Sequence, residues 1–300
     1  MFTGCGTALV TPFREDLSLD EIALRRLVRR QVDAGVHFLV PCGTTGETPT
    51  LTRTEQLQIV KITLEEANGK IPVVAGAGGY ETGEVIRTAR EYQAMGVDGI
   101  LSVTPYYNKP TQEGLYQHFR AIAEAVALPI LLYNVPGRTG VNLEASTVRR
   151  LAEIETIVGI KEASGNISQM ATLAATVPKS FVMLSGDDAI TLPLFALGGQ
   201  GVISVASNEI PSEMAQLCNF CVAGNFPSAR QIHQQYLPLM EVNFVESNPI
   251  PVKAAMAQMG LLHAVWRLPL VAPSVASLTR IHTVLEALGL VEKNYAAIGN

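Results

Sequence analysis

Hydrophobic and polar positions follow two alternating periodicities along this chain. Short runs of apolar or β-branched residues are typical of buried strands. They are separated by longer segments in which apolar residues recur three or four positions apart, as in amphipathic helices. The predicted strands are Gly6–Val10, Phe38–Val40, Pro72–Ala75, Gly99–Val103, Ile130–Tyr133, Val158–Lys161, Phe181–Ser185 and Gly201–Val205. Strands that alternate with helices predict a parallel sheet.

The first two helical segments carry the clearest signals. Thr52 and Glu55 form a Thr-x-x-Glu capping box, which predicts the N-terminus of the second helix. The apolar stripes of these segments comprise Leu24, Leu27, Val28 and Val32 in the first, and Leu57, Val60, Ile62 and Leu64 in the second.

Eight strand and helix units predict a closed (β/α)8 TIM barrel. The alternative is an open doubly wound sheet, which would be supported by a G-x-G-x-x-G motif after the first strand. Gly4-Cys5-Gly6 precedes or overlaps that strand, and Gly76–Gly79 lacks the third glycine at the required spacing. The glycine pattern therefore favours the barrel.

The alternation stops near residue 225, and residues 226–300 predict helices only. No polar or glycine-rich linker precedes this tail, as a separately folding domain would require. We predict a catalytic barrel at residues 1–225 and a C-terminal helical appendage, residues 226–300, packed on it.

Composition narrows the range of partners. The 300 residues are 48% hydrophobic and 16% charged, which is typical of a globular protein with a large core. A net charge of -5 gives no basic surface for nucleic acid or for an anionic membrane. No signal peptide is readable at Met1–Gly4, and no apolar run is long enough to span a bilayer. We therefore expect a cytoplasmic protein with a small-molecule partner.

Neither the cysteines nor the histidines predict a metal site. Cys218 and Cys221 form a C-x-x-C pair within a helical segment, and no second pair completes a zinc site. The other cysteines are Cys5 and Cys42, and the five histidines are scattered along the chain. We expect four buried structural thiols and no metal.

Lys161 ends the apolar run Val158–Lys161, where packing alone gives no reason for a lysine. An amine at the end of a buried strand is partly desolvated, and desolvation favours its neutral, nucleophilic form. A neutral amine can attack a carbonyl to form an imine. The alternative is a solvated lysine paired with Glu162.

Other strand ends place polar groups at the same mouth, because barrel enzymes build their sites at the C-terminal ends of the strands. Each group also has a structural alternative. Gly43–Gly46 could cradle a carboxylate or be a plain turn, in which the glycines supply positive φ angles. Tyr106, Tyr107 and Tyr133 could be catalytic or packing aromatics. Arg138 could bind a carboxylate or be a solvated loop arginine.

Asp187 and Asp188 follow the seventh strand, where phosphate-binding barrels often place a helix N-terminus. Two acidic residues there would repel phosphate, so we expect an unphosphorylated substrate.

Three ordered motifs resemble the signatures of one enzyme family. They are Gly43-Thr44-Thr45-Gly46-Glu47, Tyr133-Asn134-x-Pro136-x-Arg138-Thr139-Gly140 and Gly159-Ile160-Lys161-Glu162-Ala163. The chain resembles the dihydrodipicolinate synthase and N-acetylneuraminate lyase family, whose members are pyruvate-handling class I aldolases. The similarity covers nearly the whole chain, and Arg138 with the Tyr106-Tyr107 pair resembles the synthase branch.

The resemblance implies a mechanism without a cofactor. Lys161 would form an imine with pyruvate, and the derived enamine would attack aspartate-4-semialdehyde, as in the diaminopimelate and lysine pathway. Tyr133 would donate and accept protons, linked to solvent by Thr44 and by Tyr107 from a neighbouring subunit. Thr45 would hold the pyruvate carboxylate.

The resemblance also assigns the remaining binding groups. Arg138 would hold the semialdehyde carboxylate, while the backbones of Gly186 and Ile203 would line the pyruvate pocket. A homotetramer built from tight dimers is implied as well. The alternatives are a related pyruvate aldolase that acts on a sialic or ketodeoxy-sugar acid, and an inactive barrel that only binds a keto acid.

One departure concerns regulation. Many bacterial members are inhibited by lysine at a dimer-interface site, for which this chain offers Thr48, Glu84 and Tyr106. Tyr80 stands where inhibited members usually carry asparagine, and Pro49 and Gln56 also depart from one common inhibited pattern. We therefore predict weak or absent inhibition by lysine.

Overall fold

The computed structural model describes residues 2–292, and its centre is a sheet of eight parallel strands. The strands are β1 (Gly4–Ala8), β2 (Phe38–Val40), β3 (Val74–Gly76), β4 (Gly99–Val103), β5 (Ile130–Asn134), β6 (Ile157–Glu162), β7 (Val182–Ser185) and β8 (Gly201–Ser204). Each of the eight predicted runs overlaps one of them.

The sheet closes almost completely into a barrel. Hydrogen-bonded neighbours follow the order β2-β1-β8-β7-β6-β5-β4-β3. The two ends of this order, β2 and β3, approach each other through an isolated parallel bridge between Leu39 of β2 and Val73, the residue before β3. The predicted (β/α)8 barrel is therefore confirmed, and the open doubly wound sheet is wrong.

Helices connect the strands and continue after the last one. They are α1 (Glu21–Asp33), α2 (Arg53–Ala67), α3 (Thr82–Met95), α4 (Gln112–Ala125), α5 (Pro136–Thr139), α6 (Ala145–Leu151), α7 (Ile167–Thr176), α8 (Thr191–Ala196), α9 (Pro211–Val222), α10 (Phe226–Val242), α11 (Ile250–Gln258) and α12 (Val275–Ala287). Short 3-10 turns lie at Thr44–Gly46, Thr48–Thr50, Asp188–Ile190 and Ala206–Asn208.

The strands bury side chains on both faces, as parallel sheets with helical covers do. Alternate residues of β5 show this arrangement: Leu131 and Tyr133 belong to the cluster inside the barrel, whereas Ile130 and Leu132 pack in the layer beneath the helices. Residues whose side chains point into the barrel at the C-terminal end of a strand are thereby brought toward one mouth.

The capping box predicted at α2 is present. The Thr52 side chain accepts from the Glu55 amide, and the Glu55 carboxylate accepts from the Thr52 amide. Both amides lack partners within the helix, so the reciprocal bonds fix where α2 begins.

Strand β1 ends two residues earlier than predicted. The Leu9 amide still donates to the Val40 carbonyl of β2 at 3.1 Å, but the Val10 amide donates to Asn208 Oδ1 at 3.2 Å, so the pairing stops here although both residues are apolar. Hydrophobicity alone does not distinguish such residues from strand residues.

The C-terminal part contains α10, α11 and α12, as the helical pattern predicts, but it is not helical throughout. Residues 261–274 form an irregular segment with prolines at positions 269 and 273, each of which lacks a backbone donor. Of the predicted tail, residues 293–300 lie outside the described residues. None of the helices between Phe2 and Glu292 combines the length and hydropathy that crossing a bilayer requires.

The four cysteines are free and buried, as predicted. Within residues 2–292, no three side chains of histidine, cysteine, aspartate or glutamate are grouped to hold a metal ion.

Candidate active site

Lys161 lies near the C-terminal end of β6 with only 5% of its surface exposed. Its Nζ atom is 4.3 Å from the centre of the Tyr133 ring, and Tyr133 is its register partner on β5. The two side chains therefore meet on the inner face of the barrel. This burial is at odds with the alternative of a solvated strand-end lysine.

Gly186 leaves space beside that amine. A Cβ atom at Gly186 would lie 2.5 Å from Ala163 Cβ and 3.1 Å from Lys161 Cε. Because contacts under 3.0 Å are not tolerated, a larger residue would displace the wall of the site. Ile203, on β8, is fully buried in the cluster that also contains Tyr133.

The Glu162 side chain does not pair with Lys161 and makes structural hydrogen bonds instead. It is fully buried and accepts from the Ser164 amide at 2.7 Å and from Asn134 Nδ2 at 3.0 Å. Successive strand residues point to opposite faces, so the carboxylate is directed away from Lys161. Asn134 also donates to Asn142, and this network fixes the ends of β5 and β6 from outside the barrel.

The Gly43–Gly46 segment after β2 forms a 3-10 turn rather than a glycine-dependent left-handed turn. Positive φ angles occur at the residues beside it, 55° at Cys42 and 54° at Glu47. The interpretation in which the glycines supply them is therefore wrong. The backbone instead passes close to Gly46, since a Cβ there would lie 3.2 Å from the Leu9 carbonyl oxygen, a tight contact.

Thr45 and Arg138 are connected through one residue of the C-terminal part. Thr45 is 2% exposed, and its Oγ1 accepts from Asn248 Nδ2 at 3.0 Å. Arg138 Nη2 donates to the Asn248 main-chain carbonyl at 3.0 Å. Arg138 is exposed to solvent, and this bond ties its guanidinium to the C-terminal part.

A second contact links the same two parts of the chain. Lys253 on α11 and Glu47 form an ion pair in which neither side chain is exposed. The ammonium also lies 4.4 Å from the centre of the Phe13 ring. Burial lowers the pKa of Lys253, and the Glu47 carboxylate opposes that shift.

A cavity of about 500 Å³ opens beside these groups. Thr44, Tyr133 and Arg138 line it at the barrel mouth. Its other walls include Thr48, Pro49, Arg53, Gln56, Glu84 and Tyr106. Two of the predicted catalytic residues, Thr44 and Tyr133, therefore share one space with three residues of the predicted regulatory site, whereas Lys161 and Tyr107 do not line it.

Tyr107 is not brought into this site by its own chain. Its side chain is 90% exposed, and its φ angle is 69°, a conformation uncommon for tyrosine. Tyr80 is also exposed, at 57%, and its ring packs edge-on against Tyr106 with centroids 5.3 Å apart.

Asp187 and Asp188 have structural contacts that the sequence did not reveal. Asp187 caps the turn that follows β7 by accepting from the Ala189 amide. Asp188 is buried and accepts from the amides of Val205 and Ala206 at 3.0 and 2.9 Å. Desolvation raises the pKa of Asp188, and the bonds from the amides partly offset this effect.

Sequence reasoning did not assign a role to Asn248 or to the pair of Glu47 and Lys253. The chain separation is 203 residues for Asn248 and Thr45, and 206 for Lys253 and Glu47. Local sequence patterns cannot predict contacts between residues so far apart in the chain. The available signals were an asparagine before proline and a lysine in a largely apolar helix.

The near-closed barrel and the buried lysine at the end of its sixth strand define a (β/α)8-barrel enzyme. The model of the dihydrodipicolinate synthetase family matches residues 1–288. The chain belongs to the dihydrodipicolinate synthetase family.

Relatives of known name agree with this assignment. A 4-hydroxy-tetrahydrodipicolinate synthase from Chloroherpeton thalassium is 50% identical over 296 residues, which are 98% of each chain. The dihydrodipicolinate synthase of Thermotoga maritima is 45% identical with a TM-score of 0.95, covering 97% of this chain and 100% of its own. The chloride-inhibited synthase of Acinetobacter baumannii, solved with pyruvate, is 42% identical with a TM-score of 0.95 and the same coverage.

These comparisons confirm the family and the synthase activity predicted from the sequence. They also favour the synthase over the sugar-acid aldolase within the predicted group of enzymes.

Proposed function

We propose that this chain condenses pyruvate with L-aspartate-4-semialdehyde to give 4-hydroxytetrahydrodipicolinate, through an imine on Lys161. The observation that carries the proposal is the amine of Lys161, which is buried on the inner face of the barrel against the Tyr133 ring. An amine kept from bulk water is suited to attack a keto carbon.

The Lys161 amine adds to the keto carbon of pyruvate, and loss of water gives a protonated imine. This cation withdraws electrons from the methyl group, which then loses a proton to form an enamine. The enamine carbon attacks the aldehyde carbon of the semialdehyde. The amino group of the product then attacks the imine carbon, closes the ring and releases Lys161. The imine itself supplies the electron sink, so the scheme needs no separate cofactor.

Tyr133 is our candidate for the proton transfers because its ring contacts the Lys161 amine. Thr44 lines the same cavity and would pass protons toward solvent. Thr45 would hold the pyruvate carboxylate beside Lys161, with Gly186 and Ile203 lining the pyruvate pocket. Arg138 has the planar pair of donors that a second carboxylate requires, and we assign it to the semialdehyde.

The substrate assignment is tested by supplying the purified protein with two substrate sets. We expect ring product from pyruvate and aspartate-4-semialdehyde, and no cleavage of sialic or ketodeoxy-sugar acids. Turnover of a sugar acid alone would reject the synthase reaction. No turnover of either set would favour the inactive keto-acid-binding barrel.

Tyr107 is the basis for an oligomeric proposal. A tyrosine that is 90% exposed and held at a positive φ angle is well placed to enter a neighbouring subunit. We propose that two chains exchange this residue in a tight dimer and that two dimers form a homotetramer. The cytoplasmic location stays a prediction.

Thr48, Glu84 and Tyr106 line the same cavity, and we retain them with Tyr80 as a regulatory site. The phenol ring of Tyr80 packs against Tyr106 and fills space beside this regulatory site. Glu84 is paired with Arg87 in this chain, so its carboxylate already has a cationic partner.

These contacts predict weak or absent inhibition by lysine. Adding L-lysine to the standard assay should leave turnover nearly unchanged, and Tyr80→Asn should make the enzyme more sensitive. A steep loss of activity of the unaltered enzyme at modest lysine concentrations would contradict the prediction.

A further inference from the structure

Asn248 occupies a junction between two binding groups. It lies between α10 and α11, and only 5% of its surface is exposed. Its side chain bonds to Thr45, and its main-chain carbonyl accepts from Arg138. In our proposed function these two residues hold the carboxylates of the two substrates, so one residue of the C-terminal part contacts both.

The direction of the bond to Thr45 has a chemical consequence. Asn248 Nδ2 donates to Thr45 Oγ1, which uses the threonine oxygen as an acceptor. A hydroxyl has one proton to donate and separate lone pairs that accept. The Thr45 proton thus stays available for an anionic oxygen of a ligand, while the amide restricts rotation of the hydroxyl.

The part of the chain that carries Asn248 is bonded to the segment after β2 at a second point. Five residues later, Lys253 forms its buried ion pair with Glu47 in the same segment that carries Thr45. The Arg267 amide also lies 3.5 Å from Glu47 Oε2. The segment after β2 is therefore bonded to the C-terminal part at both Thr45 and Glu47.

We propose that Asn248 is a positioning residue: its side chain orients the Thr45 hydroxyl toward the pyruvate carboxylate, and its carbonyl sets the place of Arg138. The C-terminal helical part is then a component of the active site rather than only a cover for the barrel. This inference rests on the proposed roles of Thr45 and Arg138.

The test is a double-mutant cycle with Asn248→Ala, Thr45→Val and the double variant. Steady-state kinetics give kcat and the KM of each substrate. Borohydride trapping of Lys161 over a pyruvate titration gives pyruvate binding independently of turnover. Ser247→Ala is the matched control, because Ser247 is the exposed neighbour of Asn248. Thermal unfolding of each variant checks that it is folded.

We expect Asn248→Ala to raise the pyruvate KM and the half-saturation of trapping about 3- to 10-fold, the net effect of one hydrogen bond. The semialdehyde KM should change less than about twofold, because the main-chain carbonyl that Arg138 contacts is retained. When Thr45 is already valine, Asn248→Ala should not raise the pyruvate KM or the half-saturation of trapping any further. Ser247→Ala should match the unaltered enzyme.

The proposal would be overturned if the increases in pyruvate KM were additive in the double variant. It would also be overturned if Asn248→Ala raised the KM of both substrates equally, or raised neither. If Thr45→Val alone leaves pyruvate binding unchanged, the role proposed for Thr45 fails. An effect of Asn248→Ala in that case would show that it acts through another group. Should Asn248→Ala not fold, Asn248→Ser serves in the same cycle.

Discussion

Lys161 and Glu162 are neighbours in the sequence but occupy different environments. The lysine points into the barrel and contacts the Tyr133 ring, whereas the carboxylate is bonded to Asn134 and the Ser164 amide. The sequence located the lysine, since a charged residue at the end of an apolar run is a strong anomaly. Strand alternation places the Lys161 and Glu162 side chains on opposite faces, but the contact that buries Lys161 against Tyr133 is not reported by the sequence.

The acid-base role of Tyr133 is tested by removing its hydroxyl. Tyr133→Phe keeps the ring beside Lys161 and removes only the hydroxyl. We expect kcat to fall about 10² to 10⁴-fold, the usual contribution of a positioned acid or base. Pyruvate binding, measured by borohydride trapping, should be largely kept.

Tyr116→Phe is the control for that experiment. Tyr116 packs under Arg150, with the guanidinium carbon 3.9 Å from its ring centre, and it is not among the residues lining the cavity. The control should retain normal turnover. Near-normal turnover of Tyr133→Phe would refute the acid-base role.

The helices and strands were predicted correctly where local forces determine them. The capping box of α2 and the apolar runs of the strands follow from neighbouring residues, and the structure contains them. The positive φ angles beside the turn after β2 were expected at its glycines but occur at Cys42 and Glu47, because they depend on contacts made elsewhere. Glu47, at a φ angle of 54°, is held by Lys253 from α11, and nothing near Glu47 in the sequence reports this.

This ion pair predicts a large effect on stability. Lys253→Met removes the cation and leaves the Glu47 carboxylate buried without it, which typically costs about 3–5 kcal/mol. Denaturant unfolding should show that loss, and lowered pyruvate affinity should accompany it because the segment carrying Thr45 is loosened.

Lys61→Met makes the same chemical change at an exposed pair, where Lys61 lies 3.9 Å from Glu65. Its free energy of unfolding should change by less than about 1 kcal/mol. Equal effects of the two substitutions would contradict the account of α11 as an anchor for the segment after β2.

For the whole molecule, the barrel was predictable because eight strand and helix units leave few topologies. The barrel also explains why residues from distant parts of the sequence lie at one mouth. The placement of Tyr107 was not predictable from periodicity. In a single chain this tyrosine is exposed and does not reach the barrel mouth. In our proposal the complete site is therefore formed only in an assembly of chains.

An exchange of Tyr107 predicts complementation between two impaired variants. Lys161→Ala and Tyr107→Phe chains, co-expressed with different tags and purified as mixed dimers, should regain activity. One of the two sites then combines an intact Lys161 with an intact Tyr107 from the partner. Mixed dimers with no activity beyond the average of the two parent variants would show that Tyr107 acts within its own chain.

The central claim is that the buried amine of Lys161 captures pyruvate as an imine. It is tested most directly by borohydride reduction in the presence of pyruvate, followed by peptide mass mapping. The account predicts one reduced pyruvate adduct per chain, located on Lys161 and lost in Lys161→Ala. An adduct on another lysine, or turnover without any trapped adduct, would contradict it.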